Sequence, residues 1–111
     1  MKLHQQRHGA VTLLKPEGPL IEAVAGEFDT AARALMSTTL GRFVLDMSAV
    51  PFVDSVGLET LLGLTDLMEQ SGKVLKLCVV NKTVRQVFEL TGIDSLFDHF
   101  EDVNSAVRSF L

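Results

Sequence analysis

The hydrophobic pattern changes period several times along the chain, and each change marks an element. Lys2–Arg7 is weakly strand-like, His8-Gly9 is a turn signal, and Ala10–Lys15 is a clearer strand, so the two form an N-terminal hairpin. Pro16-Glu17-Gly18-Pro19 is expected to end it, because two prolines and a glycine do not continue a ladder. From Ile21 to Thr38 the period becomes helical, with Val24, Phe28, Ala31 and Leu35 on one apolar face. Glu22, Glu27 and Asp29 lie in its first half, where they suit the positive helix end, and Gly41 breaks the run. Phe43–Leu45, ending at Asp46, is apolar throughout rather than alternating, which suggests a strand covered on both faces. Val56–Ser71 is helical again, with Leu58, Leu61, Leu62, Thr65 and Met68 on the buried face and Gly72 as the terminating residue. Val74–Val80 predicts a central strand. Asn81 or Lys82 starts a helix carrying Val84, Val87, Phe88 and Leu90, and Gly92 stops it. Phe97–Phe100 predicts a last short strand, and Asp102 a cap for a final helix with Val103, Ala106, Val107 and Phe110 on one side.

After the hairpin, helices alternate with strands. That order, ββαβαβαβα, predicts an α/β domain with right-handed crossovers and a mixed, mainly parallel sheet packed with helices. With 111 residues the chain is one domain, 1–111, large enough for a single core.

Composition narrows the function classes. The chain is 47% hydrophobic and 22% charged, as compact proteins are. Its net charge is −4, and the ten Lys and Arg are scattered, so nucleic acid is not an expected partner. The single cysteine, Cys78, lies in an apolar run and reads as a small core residue. No apolar run approaches the roughly 18 residues of a membrane span, and the polar start lacks the apolar core of a signal peptide. The expected location is the cytoplasm. Trp and Tyr are absent, so the usual aromatic interface anchors are missing.

Candidate chemistry concentrates at Asp54-Ser55-Val56-Gly57, where an apolar segment meets a helix start. A hydroxyl there sits at the positive helix end, beside unpaired backbone N–H groups that can hold a phosphate. The same residue types are also ordinary helix caps, and the sequence leaves both readings open. No Glu or Gln stands three residues after Asp54 or Ser55, so no capping box is formed. Gly57 in a first helical turn costs roughly 1 kcal/mol against Ala. It is useful where another surface approaches closely, which points to a recognition surface around Ser55. Glu59, Thr60 and Gly63 border the same corner. Gly26-Glu27-Phe28-Asp29 falls inside the first helix and reads as helix. His4, His8 and His99 have no metal-ligand spacing, and no phosphate loop, nucleophile elbow or zinc-protease motif occurs. No catalytic residue, metal or cofactor is expected, and the chain is not read as an enzyme.

Val44–Leu62 (VLDMSAVPFVDSVGLETLL) resembles the central signature of STAS domains, the anti-sigma factor antagonist family. In that family a strand ending in Asp-Leu-Ser leads to Asp-Ser-Ser/Thr-Gly-Leu; here these are Leu45-Asp46-Met47-Ser48 and Asp54-Ser55-Val56-Gly57-Leu58. Gln70–Leu77 resembles the family's helix-to-strand turn, and Val84–Ile93 its third helix, so the likeness spans about residues 9–108. The resemblance implies a single STAS-like domain working as a phosphorylation switch in signal transduction and transcription regulation. A partner serine kinase, itself the anti-sigma factor, phosphorylates the Ser after the Asp, and a serine phosphatase resets it. The phosphoacceptor carried over is Ser55, and Val56 replaces the pattern's second hydroxyl. The implied partner surface comprises Asp54, Ser55, Val56, Gly57, Glu59 and Thr60, on a monomer or weak dimer. Many antagonists carry Gly-Glu-Leu-Asp where this chain has Gly18-Pro19-Leu20-Ile21. That difference keeps a second reading, an unphosphorylated STAS scaffold subunit of a lipid-transport or sensory assembly.

Overall fold

The computed structural model describes every residue, Met1–Leu111. Strands β1 (Lys2–His8) and β2 (Val11–Glu17) form the hairpin, followed by α1 (Glu22–Thr38), β3 (Phe43–Asp46), α2 (Ser55–Gln70), β4 (Leu75–Cys78), α3 (Lys82–Leu90), β5 (Phe97–Phe100) and α4 (Val103–Arg108). A short 3-10 turn, Asp94–Leu96, precedes β5. The sheet order is β1-β2-β3-β4-β5, with β1 antiparallel to β2 and every later pair parallel. The sequence-derived element order is the observed one.

Because consecutive parallel strands are also neighbours, right-handed crossovers place α1, α2 and α3 on one face of the sheet. Leu14, Phe43, Leu45, Leu75 and Leu77 point into the main core there, against Phe28, Leu35, Leu61, Leu64, Met68 and Phe88. The alternate strand positions Val11, Leu13, Val44 and Cys78 point to the other face, where α4 supplies Ala106 with Val103, Val107 and Phe110. β3 is buried at all four positions, which explains its unbroken apolar run. Cys78 packs in the smaller cluster, and burial pushes its thiol pKa up to about 12.

Three expectations change at the boundaries. Pro16 lies inside β2, opposite Leu3, rather than ending it. The N–H groups of Thr12 and Gly18 point away from β1 and donate to Arg42 and Ala49. Pro16 shares their orientation, and β3 pairs with β2 only as far as Leu14, so its missing N–H breaks no ladder bond. β4 is shorter than Val74–Val80: Val74 is exposed, and Val79 leaves the strand with φ 56. On α2 the innermost residues are Gly57, Leu61, Leu64, Thr65 and Met68, while Leu58 and Leu62 lie at the core margin. No helix is long and apolar enough to cross a membrane.

Candidate functional site

The corner between β3 and α2 is built by backbone hydrogen bonds together with two side chains, Asp46 and Asn81. Asp46 ends β3 and accepts the Ser48 N–H at 2.9 Å, which turns the chain. The loop then runs alongside Gly18–Leu20. Gly18 N–H donates to Ala49, Leu20 N–H to Phe52, and Asp54 N–H to Leu20. On its other side, Asn81 Nδ2 donates to the carbonyls of Val50 (3.1 Å) and Pro51 (3.2 Å), while Asn81 Oδ1 caps α3 by accepting from Val84. Buried Val50 and Val53 fix the loop from beneath. The result is a braced platform from which α2 starts.

Asp54 caps two helices. Its Oδ1 accepts the Gly57 N–H at 2.8 Å, closing the first turn of α2, and its Oδ2 accepts the Glu22 N–H at 2.9 Å, at the start of α1. Ile21 is the residue preceding α1 and offers no side-chain cap of its own. The carboxylate thus serves two positive helix ends at once. These bonds, first from Gly57 and then from Glu22, hold the Asp54 pKa below the usual Asp value.

Gly57 corrects one inference from the sequence. It is buried, and a Cβ on it would stand 2.2 Å from the Leu20 carbonyl oxygen. The surface that approaches Gly57 is the chain's own second-strand exit, not a partner. Gly57 therefore offers no contact to another protein.

Ser55 is the opposite case. It is the first residue of α2, it is exposed, and its hydroxyl takes no part in the hydrogen bonds of the corner. The cap and the free hydroxyl are separate residues. Val56 is half-buried, Glu59 is exposed, and the Thr60 hydroxyl donates back to the Val56 carbonyl at 2.9 Å. These positions share one end of α2 with Ser55. Phe52, two residues before Asp54, is 48% exposed and was not singled out from the sequence. Its backbone carbonyl is fixed by Leu20, so its ring stands in solvent on a rigid base. The signal was an aromatic residue inside an otherwise small, buried-looking segment.

Two of the three histidines are engaged elsewhere. His4 Nε2 bonds Glu17 at 2.7 Å, and His99 Nε2 lies 3.0 Å from Asp94, which also meets Arg85 at 2.7 Å. Neither pairing includes Ser55. Gly26-Glu27-Phe28-Asp29 is in α1, as its period implied, with Asp29 bonded to Arg33.

Comparison with known proteins places the fold and the family. The anti-sigma-F factor antagonist RsfB of Mycobacterium tuberculosis is 29% identical over 107 residues, covering 87% of this chain and 85% of RsfB. A crystal structure from Thermotoga maritima superposes with a TM-score of 0.87 at 20% identity, over 96% of this chain and 92% of that one. The phosphorylated form of the Bacillus cell fate determinant SpoIIAA superposes with a TM-score of 0.70 at 15% identity, over 97% of this chain and 99% of that one. The profile of the STAS domain matches residues 2–106, and the chain belongs to the STAS domain family.

Proposed function

We propose that the chain is a non-enzymatic anti-sigma factor antagonist whose binding to an anti-sigma factor is switched by phosphorylation of Ser55. The observation that carries this reading is the division of labour at the corner. Asp54 has both carboxylate oxygens committed to helix N–H groups, while Ser55 beside it is exposed and uncommitted. A kinase can reach that hydroxyl without disturbing the cap. The name of RsfB and the phosphorylated form of SpoIIAA support the reading. The partners in it are a serine kinase that is also the anti-sigma factor and a phosphatase, in the cytoplasm.

The switch acts through charge. A phosphoryl group adds about −1.5 to −2 charges and three acceptor oxygens. At the start of α2 it meets unpaired N–H groups, so the fold tolerates it. On the outer face it stands beside exposed Glu22 and Glu59, and an interface would have to bury that enlarged anion. Phe52, Ser55, Val56, Glu59 and Thr60 form the contact surface, with Phe52 as its apolar centre. A coupling of about 1–3 kcal/mol changes affinity roughly 5- to 150-fold.

The test is intact-mass measurement after incubation with ATP and the candidate kinase. One phosphoryl group gained by the parent and absent from Ser55→Ala is the expected result. No gain, or an unchanged gain in Ser55→Ala, contradicts the proposal.

A second reading, a scaffold that is never phosphorylated, draws on Ile21. This residue occupies the place of the acid found in many antagonists, and it is apolar and half-buried. Asp54 takes over the capping task at α1, however, so the corner needs no acid at Ile21 to hold its shape.

A further inference from the structure

Helices α1 and α2 are tied at both ends. At the Ser55 end the tie is the Asp54 carboxylate. At the far end Lys73, just beyond α2, donates to the carbonyl of Leu40, just beyond α1. Its side chain crosses Gly41 so closely that a Cβ there would stand 2.8 Å from Lys73 Cδ. Gly41 has φ +80, and Leu40 before it has φ 54, a conformation uncommon for a leucine. Despite that strained backbone, Leu40 is 72% exposed. The turn therefore holds an apolar side chain in solvent beside a cation bonded to the Leu40 carbonyl.

The same end carries a groove of about 480 Å³, lined by Leu40, Arg42, Lys73, Val74, Lys76 and Phe110 among others. That volume lies in the range of about 300–1,000 Å³ found for small-molecule sites. Lys76 is also held in place. Its Nζ bonds Ser109 Oγ at 2.7 Å and lies 4.1 Å from the centre of the Phe110 ring. None of the chain's ion pairs involves Arg42, Lys73 or Lys76. One acid, Asp98, reaches the groove, from the β5 position paired with Lys76. Three cations thus face one carboxylate in a protein of net charge −4. Val74 is 45% exposed along the same wall.

The geometry points to a binding site for a small organic anion with an apolar body. An oxyanion head meets Arg42 and Lys76, and the body lies along Leu40, Val74 and the edge of the groove that Phe110 lines. Lys73 keeps donors beyond the one given to Leu40 and adds to the field. The site is independent of Ser55 and of the switch proposed for it.

Octanoate is the probe, with acetate as the head alone and 1-octanol as the body alone, each titrated into the 15N-labelled protein. Octanoate is expected to shift the amides of Leu40, Gly41, Arg42, Val74 and Phe110 saturably, and to bind about tenfold more tightly than either control. Arg42→Gln and Lys76→Gln are expected to weaken it roughly three- to fivefold each, as for part-exposed charge contacts, and Asp98→Asn to tighten it. Spectra of the variants outside the groove report that they remain folded. Acetate binding as well as octanoate would mean an adventitious ion only and overturns the proposal. So does equal binding of 1-octanol, or an affinity that ignores all three substitutions.

Discussion

The two ends of the α1–α2 pair solve one problem in opposite ways. At the N-terminal end an anion, Asp54, takes two helix N–H groups; at the C-terminal end a cation, Lys73, takes one carbonyl. Each charge complements the helix dipoles at its own end. The surroundings differ. The Asp54 end is pinned by backbone bonds from Gly18 and Leu20 and by the Asn81 side-chain amide, and Gly57 lets the Leu20 carbonyl press against α2. The Lys73 end is joined by one long side chain, beside a turn closed by its own backbone bonds from Gly41 to Met36 and from Arg42 to Thr39, and it borders a groove. In the readings proposed above, the Asp54 end presents the Ser55 hydroxyl to a kinase and the Lys73 end borders the ligand groove.

Substitutions at the two glycines separate these ends most sharply. Gly57→Ala drives a methyl into a backbone carbonyl that cannot yield, so a loss of about 3 kcal/mol is expected in denaturant unfolding, at the upper end of overpacking effects. Gly41→Ala meets only the Lys73 side chain, which can swing away. Its loss is then the left-handed backbone penalty, about 1 kcal/mol. Equal losses would mean that the two ends are equally rigid.

Removing the charges gives the next contrast. Asp54→Ala frees the starts of two helices, so amide exchange at both Glu22 and Gly57 should accelerate together. Lys73→Met removes one exposed contact and is expected to cost no more than about 1 kcal/mol. Exchange that speeds up at Gly57 alone would remove Asp54 from α1. Acid should act at the same end. Asp54 binds its proton less readily folded than unfolded, so its contribution is present above the ordinary Asp value of 3.8 and is lost as pH falls through its lower folded value. In Asp54→Ala the stability curve below pH 3.8 should be flatter than in the parent.

The smallest effect on stability belongs to Ser55→Ala. It lies between a double cap and a glycine that admits no methyl, yet a change within about 0.5 kcal/mol is expected, because the hydroxyl holds nothing. A larger loss would give Ser55 a structural task and weaken its reading as a switch.

Much of this was legible in the sequence. The buried run Phe43–Leu45, the helix start at Asn81 or Lys82, the cap Asp102 and the stop at Gly92 act through neighbours in the chain, so their local patterns suffice. Pro16 was misplaced because its tolerance depends on where β3 stops pairing, which no local pattern encodes. Gly57 suggests a partner surface from sequence because its true neighbour, Leu20, is 37 positions away in the chain. Asp54 as a cap was visible, but its bond to Glu22 joins two helices across β3 and could not be seen. The Lys73–Leu40 tie and the groove beside it are also products of tertiary packing.

The most direct test of the switch is calorimetric binding of unphosphorylated and Ser55-phosphorylated protein to the serine-kinase anti-sigma factor of the same genome. The account predicts that phosphorylation weakens binding about 5- to 150-fold, with Ser55→Ala binding as the parent does. Equal affinities for the two forms would contradict it.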